Sequence, residues 1–325
     1  MKPNFSIPIF FSCDDNYLPF LAVAVRSLID NASPDYHYTI HILNSGLSER
    51  RVAPILNMKR ENVEIRTVDV SHMLAPIMER LNLRDYYTVS IYFRLFIATL
   101  FPQYHKAIYL DADIVVNGDI SRLYNIPLGN RLLGAVSDDI IAGHRDFRRY
   151  AEQAVGVASH RYFNSGVLLM NLDQLRHYEI ERRFVYLLQT YHFDTVAPDQ
   201  DYLNVLCRDR VLYLDKGWNK MSIDYNYQGV PKLIHYNMFY KPWLYTDIPY
   251  GSFFWKYAIK TPFYVEMRAM QARFGVKGRW GHFKANLNLH RNALRIAGDG
   301  KNFYRVLRFT PLETLPLCKE ACEHA

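Results

Sequence analysis

The sequence predicts an α/β fold with a mostly parallel mixed sheet, followed by a basic helical C-terminal region. Three observations carry this. Short apolar runs at 6–12 (SIPIFFS), 38–43 (YTIHIL) and 63–68 (VEIRTV) alternate with helical segments, the order that builds a parallel sheet with helices on its faces. Half of the 325 residues are apolar, enough for a large packed core. Residues 256–310 hold twelve Lys/Arg against Glu266 and Asp299, whereas the remainder holds 27 basic residues against 30 acidic ones, so the excess positive charge belongs to the C-terminal region.

Between the first two strands, Leu18, Leu21, Ala22, Val25, Leu28 and Ile29 share one helical face. A second helix is expected near 48–60, with Ser48 in a position to cap it. A helix around 90–101 precedes a strand at 107–110 (AIYL), and the chain then turns at Asp111–Asp113. LLGAV (132–136) and GVLLMNL (166–172) read as buried strands. Helices are expected near 177–190 and from Pro198, and short strands at 211–214 and 232–236. Composition sets a boundary near 250, giving a catalytic domain over 1–250 and a basic, aromatic-rich region over 251–325.

Several classes are disfavoured. Cys13, Cys207, Cys318 and Cys322 form no CxxC pair and have no His-rich partner segment, so reduced thiols are expected rather than a zinc site. The opening MKPNFSIPIFFSCDD lacks the long apolar stretch of a signal peptide, and no run of 18 apolar residues occurs, which points to a cytoplasmic protein.

The most informative stretch is YLDADIVV. Asp111 and Asp113 lie two apart at the end of an apolar strand, so in extended backbone their carboxylates point to one side and can share a divalent cation. Ligands of parallel sheets collect at that end of the strands. Two turn acids are the plain alternative. His235, after KLI, is a candidate third ligand, and a satisfied buried histidine is its alternative. Lys241 offers a point charge for phosphate. FNSG (163–166) places Asn164 as a donor and acceptor suited to sugar hydroxyls, or as a turn former. PDQDYLN (198–204) opens a helix with Asp199, Gln200 and Asp201, which suit sugar hydroxyls or developing positive charge, or simply an acidic first turn.

The order of SCDDNY, YFRL, YLDADIVV, YFNSGVLLMNL, DQDYLN and HYNMFYKPW resembles glycosyltransferase family 8, the retaining GT-A enzymes, over roughly residues 6–260. That family includes bacterial lipopolysaccharide galactosyl- and glucosyltransferases. The resemblance implies the GT-A, Rossmann-like, nucleotide-diphospho-sugar transferase fold. It implies that Asp14, Asp15, Asn16 and Tyr17 hold uracil and ribose, and that Arg94 belongs to the donor site. Asp111, Asp113 and His235 match the family's metal triad for Mn²⁺ or Mg²⁺, with Ala112 between the two acids. Asp138, Asn164, Asp199 and Gln200 match groups around the donor sugar, and Lys241, Pro242 and Trp243 match the segment that closes over the diphosphate. Relatives usually carry Gly where this chain has Met238, also assigned to the donor site, and Gly permits close backbone approach to phosphate.

The implied reaction moves galactose or glucose from a UDP-hexose to a saccharide acceptor, such as a lipid-linked lipopolysaccharide core, with retention of configuration. Gln200, Asp199 and Asp201 are the candidate catalytic residues; none is a clear nucleophile, so same-face attack by the acceptor hydroxyl is expected, with the leaving phosphate oxygen taking its proton, and Asp201 is the nearby carboxylate alternative as nucleophile. In the basic region Phe263, Met267, Met270 and Phe274, then Phe303, Val306 and Leu307, form apolar stripes among cations, which suits a peripheral position on an anionic membrane. Packing of the same stripes on the catalytic domain is the alternative. A sugar-phosphate nucleotidyltransferase would want a Gly-rich basic loop where this chain has the acidic CDDN. A non-catalytic sugar- or nucleic-acid-binding protein fits the basic region, but no nucleic-acid module is recognisable and no nucleic-acid partner is expected.

Overall fold

The computed structural model describes residues 6–72, 89–223 and 227–318, so Cys322 lies outside the described residues. Ten strands occur among them: β1 (Ser6–Ser12), β2 (His37–Asn44), β3 (Val63–Asp69), β4 (Lys106–Leu110), β5 (Ile114–Val116), β6 (Leu133–Ser137), β7 (Phe163–Asn171), β8 (Val211–Tyr213), β9 (Lys220–Met221) and β10 (Leu233–His235). The chain forms two interleaved units. One comprises Met1–Asp69, Ala107–Pro127 and Asp215–Asn286; the other comprises Val70–Lys106, Leu128–Leu214 and Leu287–Ala325. The boundary near 250 thus describes charge, while packing groups the chain differently.

In the first unit β3, β2, β1 and β4 lie side by side in that order, all parallel. β1 and β2 bury almost every residue, which is why they read as continuous apolar runs: both faces are covered. β3 sits at the sheet edge and exposes Glu64 and Arg66, hence its alternating sequence. The helix Leu18–Asn31 begins with Pro19 in its first turn and buries the expected stripe together with Phe20, Val23 and Ala24. Leaving β4, the chain passes through Asp111–Asp113 into β5, which belongs to a separate three-stranded sheet of order β5-β10-β9. β10 runs antiparallel to β5, with His235 opposite Ile114, and parallel to β9, with His235 opposite Met221.

In the second unit the order is β7-β6-β8, with β6 antiparallel to β7 and parallel to β8. Of these five strand pairs four are parallel, and the β6/β7 pair alone is antiparallel. The expected mostly parallel mixed sheet is what the chain forms.

Several expectations change in detail. β7 begins at Phe163, so FNSG lies inside the strand instead of ahead of it. The helix near 48–60 is shorter, Glu49–Leu56, and Ser48 makes no side-chain cap. The segment around 90–101 divides into a 3-10 helix, Val89–Leu95, and a short turn of helix, Ile97–Leu100. The helix expected near 177–190 is Ile180–Tyr191; an additional short helix, Leu172–His177, precedes it, and Glu179 between them takes a left-handed backbone with φ 51°.

The basic region is helical over Gly251–Ala258, Tyr264–Arg273, Val276–Gly298 and Phe303–Leu307. Phe263, Met267, Phe303 and Leu307 are buried, and Met270, Phe274 and Val306 are partly so. Those stripes face inward, the packing alternative. Other apolar side chains of the region are exposed, among them Val265, Val276, Trp280, Phe283, Leu287 and Phe309. Among the described residues no helix is long and apolar enough to cross a membrane.

Candidate active site

The three predicted metal ligands come together in the first unit. Asp111 and Asp113 sit in the short link between β4 and β5, and β10 delivers His235 beside that link through its pairing with β5. The Tyr236 N–H donates to the Asp113 carbonyl at 2.9 Å, which locks the register. His235 Nε2 lies 3.2 Å from Asp113 Oδ1 and 3.7 Å from Asp111 Oδ2. One ligand atom from each of the three residues falls within 4.8 Å of the others.

The orientation of the His235 ring follows from a residue with no sequence signal. Its Nδ1 lies 3.0 Å from Asn219 Oδ1. An amide oxygen only accepts, so Nδ1 carries a hydrogen and Nε2 is the nitrogen that faces the two carboxylates. Tyr109 O–H donates to Asp111 Oδ1 at 3.0 Å and orients the other acid. Ala112, buried between the acids, adds no side-chain donor. Two hard oxygens and one imidazole nitrogen, with the second imidazole nitrogen already committed, suit a divalent ion such as Mn²⁺ or Mg²⁺.

Lys241 completes the cluster. Its ammonium is buried and donates to Asp113 Oδ2 and to the Tyr236 carbonyl. Burial by itself would raise the pKa of Asp113, but the charge of Lys241 and then the neighbouring His235 imidazole outweigh it and hold the carboxyl well below the usual carboxylate range. Burial works against the charge on Lys241 as well, and Asp113 more than offsets it, so the ammonium is held above its ordinary value.

The loops on either side are tied together. Tyr17 packs edge-on against Phe20, and Phe20 stacks on Trp243 with centroids 3.7 Å apart. Asp14 Oδ1 accepts from the N–H groups of Asn16 and Tyr17, closing the acidic loop on itself. Asp15 Oδ1 accepts from the Ser48 N–H at 3.0 Å, joining this loop to the start of the helix Glu49–Leu56. The Pro242 carbonyl accepts from Gln271 Nε2, anchoring the segment from behind. Met238 is exposed and has φ 58°, the left-handed conformation that favours glycine. The backbone at this position therefore keeps the shape that glycine would allow, and the methionine side chain is added to it.

The second unit holds a separate polar network. Gln200 Oε1 accepts from the Ser165 N–H at 2.9 Å and from Asn164 Nδ2 at 3.1 Å, while Gln200 Nε2 donates to Asp138 Oδ2 at 3.2 Å. Asp138 also accepts from Asn164 Nδ2 and caps the helix Asp139–Gly143 through the N–H groups of Ile140 and Ile141. Burial pushes its pKa up. Arg94 donates to the Ser165 carbonyl at 2.7 Å and pairs with Asp199 Oδ2 at 3.2 Å, and Ser165 O–H donates to the same Asp199 oxygen. Ser165 thus joins the network as a centre that spacing did not mark.

Asp201, the alternative nucleophile, follows Gln200 in the same helix. It is fully buried and accepts from Tyr150 O–H at 2.7 Å, Tyr162 O–H at 2.6 Å and the N–H groups of Val196 and Ala197. All these donors are neutral, so burial dominates and its pKa is pushed up to about 6. A carboxylate with both oxygens engaged and no exposed surface anchors the start of its helix; it is not placed to attack a sugar.

A sequence profile described as glycosyl transferase family 8 matches residues 8–247, well over half of the chain. The chain belongs to glycosyl transferase family 8. Among curated family members, a putative glycosyltransferase of Haemophilus influenzae is 27% identical over 217 residues, covering 66% of this chain and 64% of that protein. The lipopolysaccharide 1,2-glucosyltransferase of Escherichia coli is 25% identical over 253 residues, covering 72% of each. Among solved structures, the galactosyltransferase LgtC in complex with donor and acceptor sugar analogs superimposes with a TM-score of 0.64 at 28% identity, covering 79% of this chain and 96% of that one. The chain spans less than two thirds of the Haemophilus protein. The family 8 fold is GT-A, as the α/β architecture and these neighbours agree.

Proposed function

We propose that this family 8 member is a retaining hexosyltransferase that moves galactose or glucose from a UDP-sugar to a saccharide acceptor, a lipopolysaccharide core or another surface glycan. The observation that carries the reading is the convergence of Asp111, Asp113 and His235 at the exit of β4. The names of the relatives, a lipopolysaccharide glucosyltransferase and a galactosyltransferase solved with donor and acceptor analogs, support the substrate class. They do not favour a nucleotidyltransferase or a non-catalytic binding protein.

Asp111, Asp113 and His235 would hold Mn²⁺ or Mg²⁺, which would supply Lewis-acid neutralisation of the diphosphate. Lys241 adds a point charge to the same phosphates, and Pro242 and Trp243 fix its segment. Asp14, Asp15, Asn16 and Tyr17 take uracil and ribose, and the φ of Met238 brings its backbone toward phosphate. Asp138, Asn164, Asp199 and Gln200 orient the hexose, with Arg94 positioning Asp199.

The bond from the anomeric carbon to the β-phosphate oxygen breaks, its electron pair leaving with UDP. The acceptor hydroxyl attacks that carbon from the same face, and its proton passes to the departing phosphate oxygen. Three placements favour this route over a glycosyl–enzyme ester: Asp201 is enclosed, Asp199 is paired with Arg94, and the Gln200 amide is a poor nucleophile. The transition state has oxocarbenium character by analogy with glycoside hydrolysis. UDP release should be measured from each UDP-sugar with Mn²⁺ and with EDTA. One hexose donor should be hydrolysed in Mn²⁺ alone; turnover that survives EDTA would overturn the metal assignment.

The enzyme works in the cytoplasm on the membrane surface, where a lipid-linked acceptor lies. In support, Trp280 and Phe283 are exposed and stacked at 5.3 Å on the helix Val276–Gly298, which also exposes Leu287 and carries Lys277, Arg279, Lys284, Arg291 and Arg295 with no acid. Trp280→Ala/Phe283→Ala should lose sedimentation with anionic liposomes while keeping UDP release in solution; unchanged sedimentation would remove this helix from the account.

A further inference from the structure

Asp113 carries two claims on one carboxylate. Its Oδ1 faces His235 Nε2, in the position a divalent ion would share, and its Oδ2 already accepts from the Lys241 ammonium. Lys241 has little freedom to withdraw. It is 7% exposed, its second hydrogen bond runs to the Tyr236 carbonyl at 2.5 Å, and its charge lies 5.6 Å from the Trp243 ring, itself stacked on Phe20. The neighbouring backbone is constrained too: the Lys241 N–H donates to the Phe239 carbonyl, one residue beyond the left-handed Met238.

We propose that Lys241 is a resident counter-ion that opposes divalent binding to the protein alone and makes the ion and the diphosphate bind as one unit. An ammonium and a divalent ion on the two oxygens of one buried carboxylate repel each other strongly, because little water screens them. An anion that touches both removes the repulsion. A nucleoside diphosphate has that charge, so it strengthens the ion's binding, and the ion strengthens its binding by the same factor. The lysine thereby keeps the acids neutralised between turnovers and disfavours capture of a cation that arrives without substrate. This inference rests on the metal reading of Asp111, Asp113 and His235 and adds a second role to Lys241.

The test is Mn²⁺ binding to the full chain, followed by the paramagnetic resonance signal of free Mn²⁺, without nucleotide and with saturating UDP. Neutral variants Lys241→Met and Lys241→Gln should bind Mn²⁺ alone about 10-fold more tightly than the wild type, and UDP should strengthen that binding by a correspondingly smaller factor. Lys241→Arg keeps the charge and should resemble the wild type. Two neutral variants guard against one that fails to fold, which circular dichroism would reveal. Neutral variants that bind Mn²⁺ alone no more tightly than the wild type would overturn the proposal. Asp113→Asn should weaken Mn²⁺ binding; if it leaves binding unchanged, the ion sits elsewhere and the metal reading itself fails.

Discussion

Asp113 in the first unit and Asp201 in the second are both buried aspartates, and their surroundings drive them in opposite directions. Asp113 faces Lys241 and His235, which hold its pKa down; Asp201 faces two tyrosine hydroxyls and two backbone N–H groups, and burial pushes it up to about 6. The first cluster is built from unlike charges in competition and invites an external ion. The second is a hydrogen-bonded network whose members satisfy one another. Changes in the second unit should therefore appear first as lost stability, and changes in the first as lost ion binding with the fold retained.

The largest expected stability effect is at Arg94. Replacing it by Ala leaves Asp199 buried beside an emptied position and strips the Ser165 and Ile91 carbonyls of their donor. Breaking such a pair costs about 3–5 kcal/mol. Denaturant unfolding should show this loss, and a stability unchanged within about 1 kcal/mol would erase the contrast between the regions.

Asp201 comes next, through pH. Its folded pKa is raised, so between the unfolded value of 3.8 and about 6 the folded state keeps a proton that the unfolded state has released. Stability from this group is then fully present below 3.8 and falls as pH rises to about 6, by roughly 3 kcal/mol in total. Asp201→Asn should flatten that part of the stability profile relative to the wild type. A variant whose profile keeps the same slope between pH 4 and 6 would assign it to other groups.

Asn219→Ala should be smaller still and of the other kind. It frees the His235 ring without removing a ligand, so Mn²⁺ affinity in the presence of UDP should fall about 10–100-fold. Thermal stability should change little by comparison. Unaltered affinity would mean that strand pairing alone orients His235.

Much of this contrast was legible in the sequence, for reasons that differ by residue. β1 and β2 were readable because two-sided burial leaves an uninterrupted apolar run, and Asp111 and Asp113 because they follow such a run directly. His235 lies 122 positions beyond Asp113, and only the register of β10 against β5 places it opposite Ile114. Asn219 had no signal, since its role depends on where the His235 ring turns. Asp199, Gln200 and Asp201 are consecutive in the sequence, but a helix sends consecutive side chains in different directions: Asp199 reaches Arg94, Gln200 reaches Asp138, and Asp201 points to Tyr150 and Tyr162. In the basic region the charge was visible, but composition could not distinguish buried Phe263 and Met267 from exposed Trp280 and Phe283.

The central claim is that the carboxylate pair after β4 holds the ion that a UDP-sugar needs. Asp113→Ala tests it most directly, by UDP release with the hydrolysed donor and Mn²⁺, with circular dichroism to verify the fold. The account predicts release reduced by at least about 100-fold, the scale of losing a group that stabilises leaving-group charge, in a protein that remains folded. A folded Asp113→Ala enzyme with wild-type Mn²⁺-dependent release would contradict it.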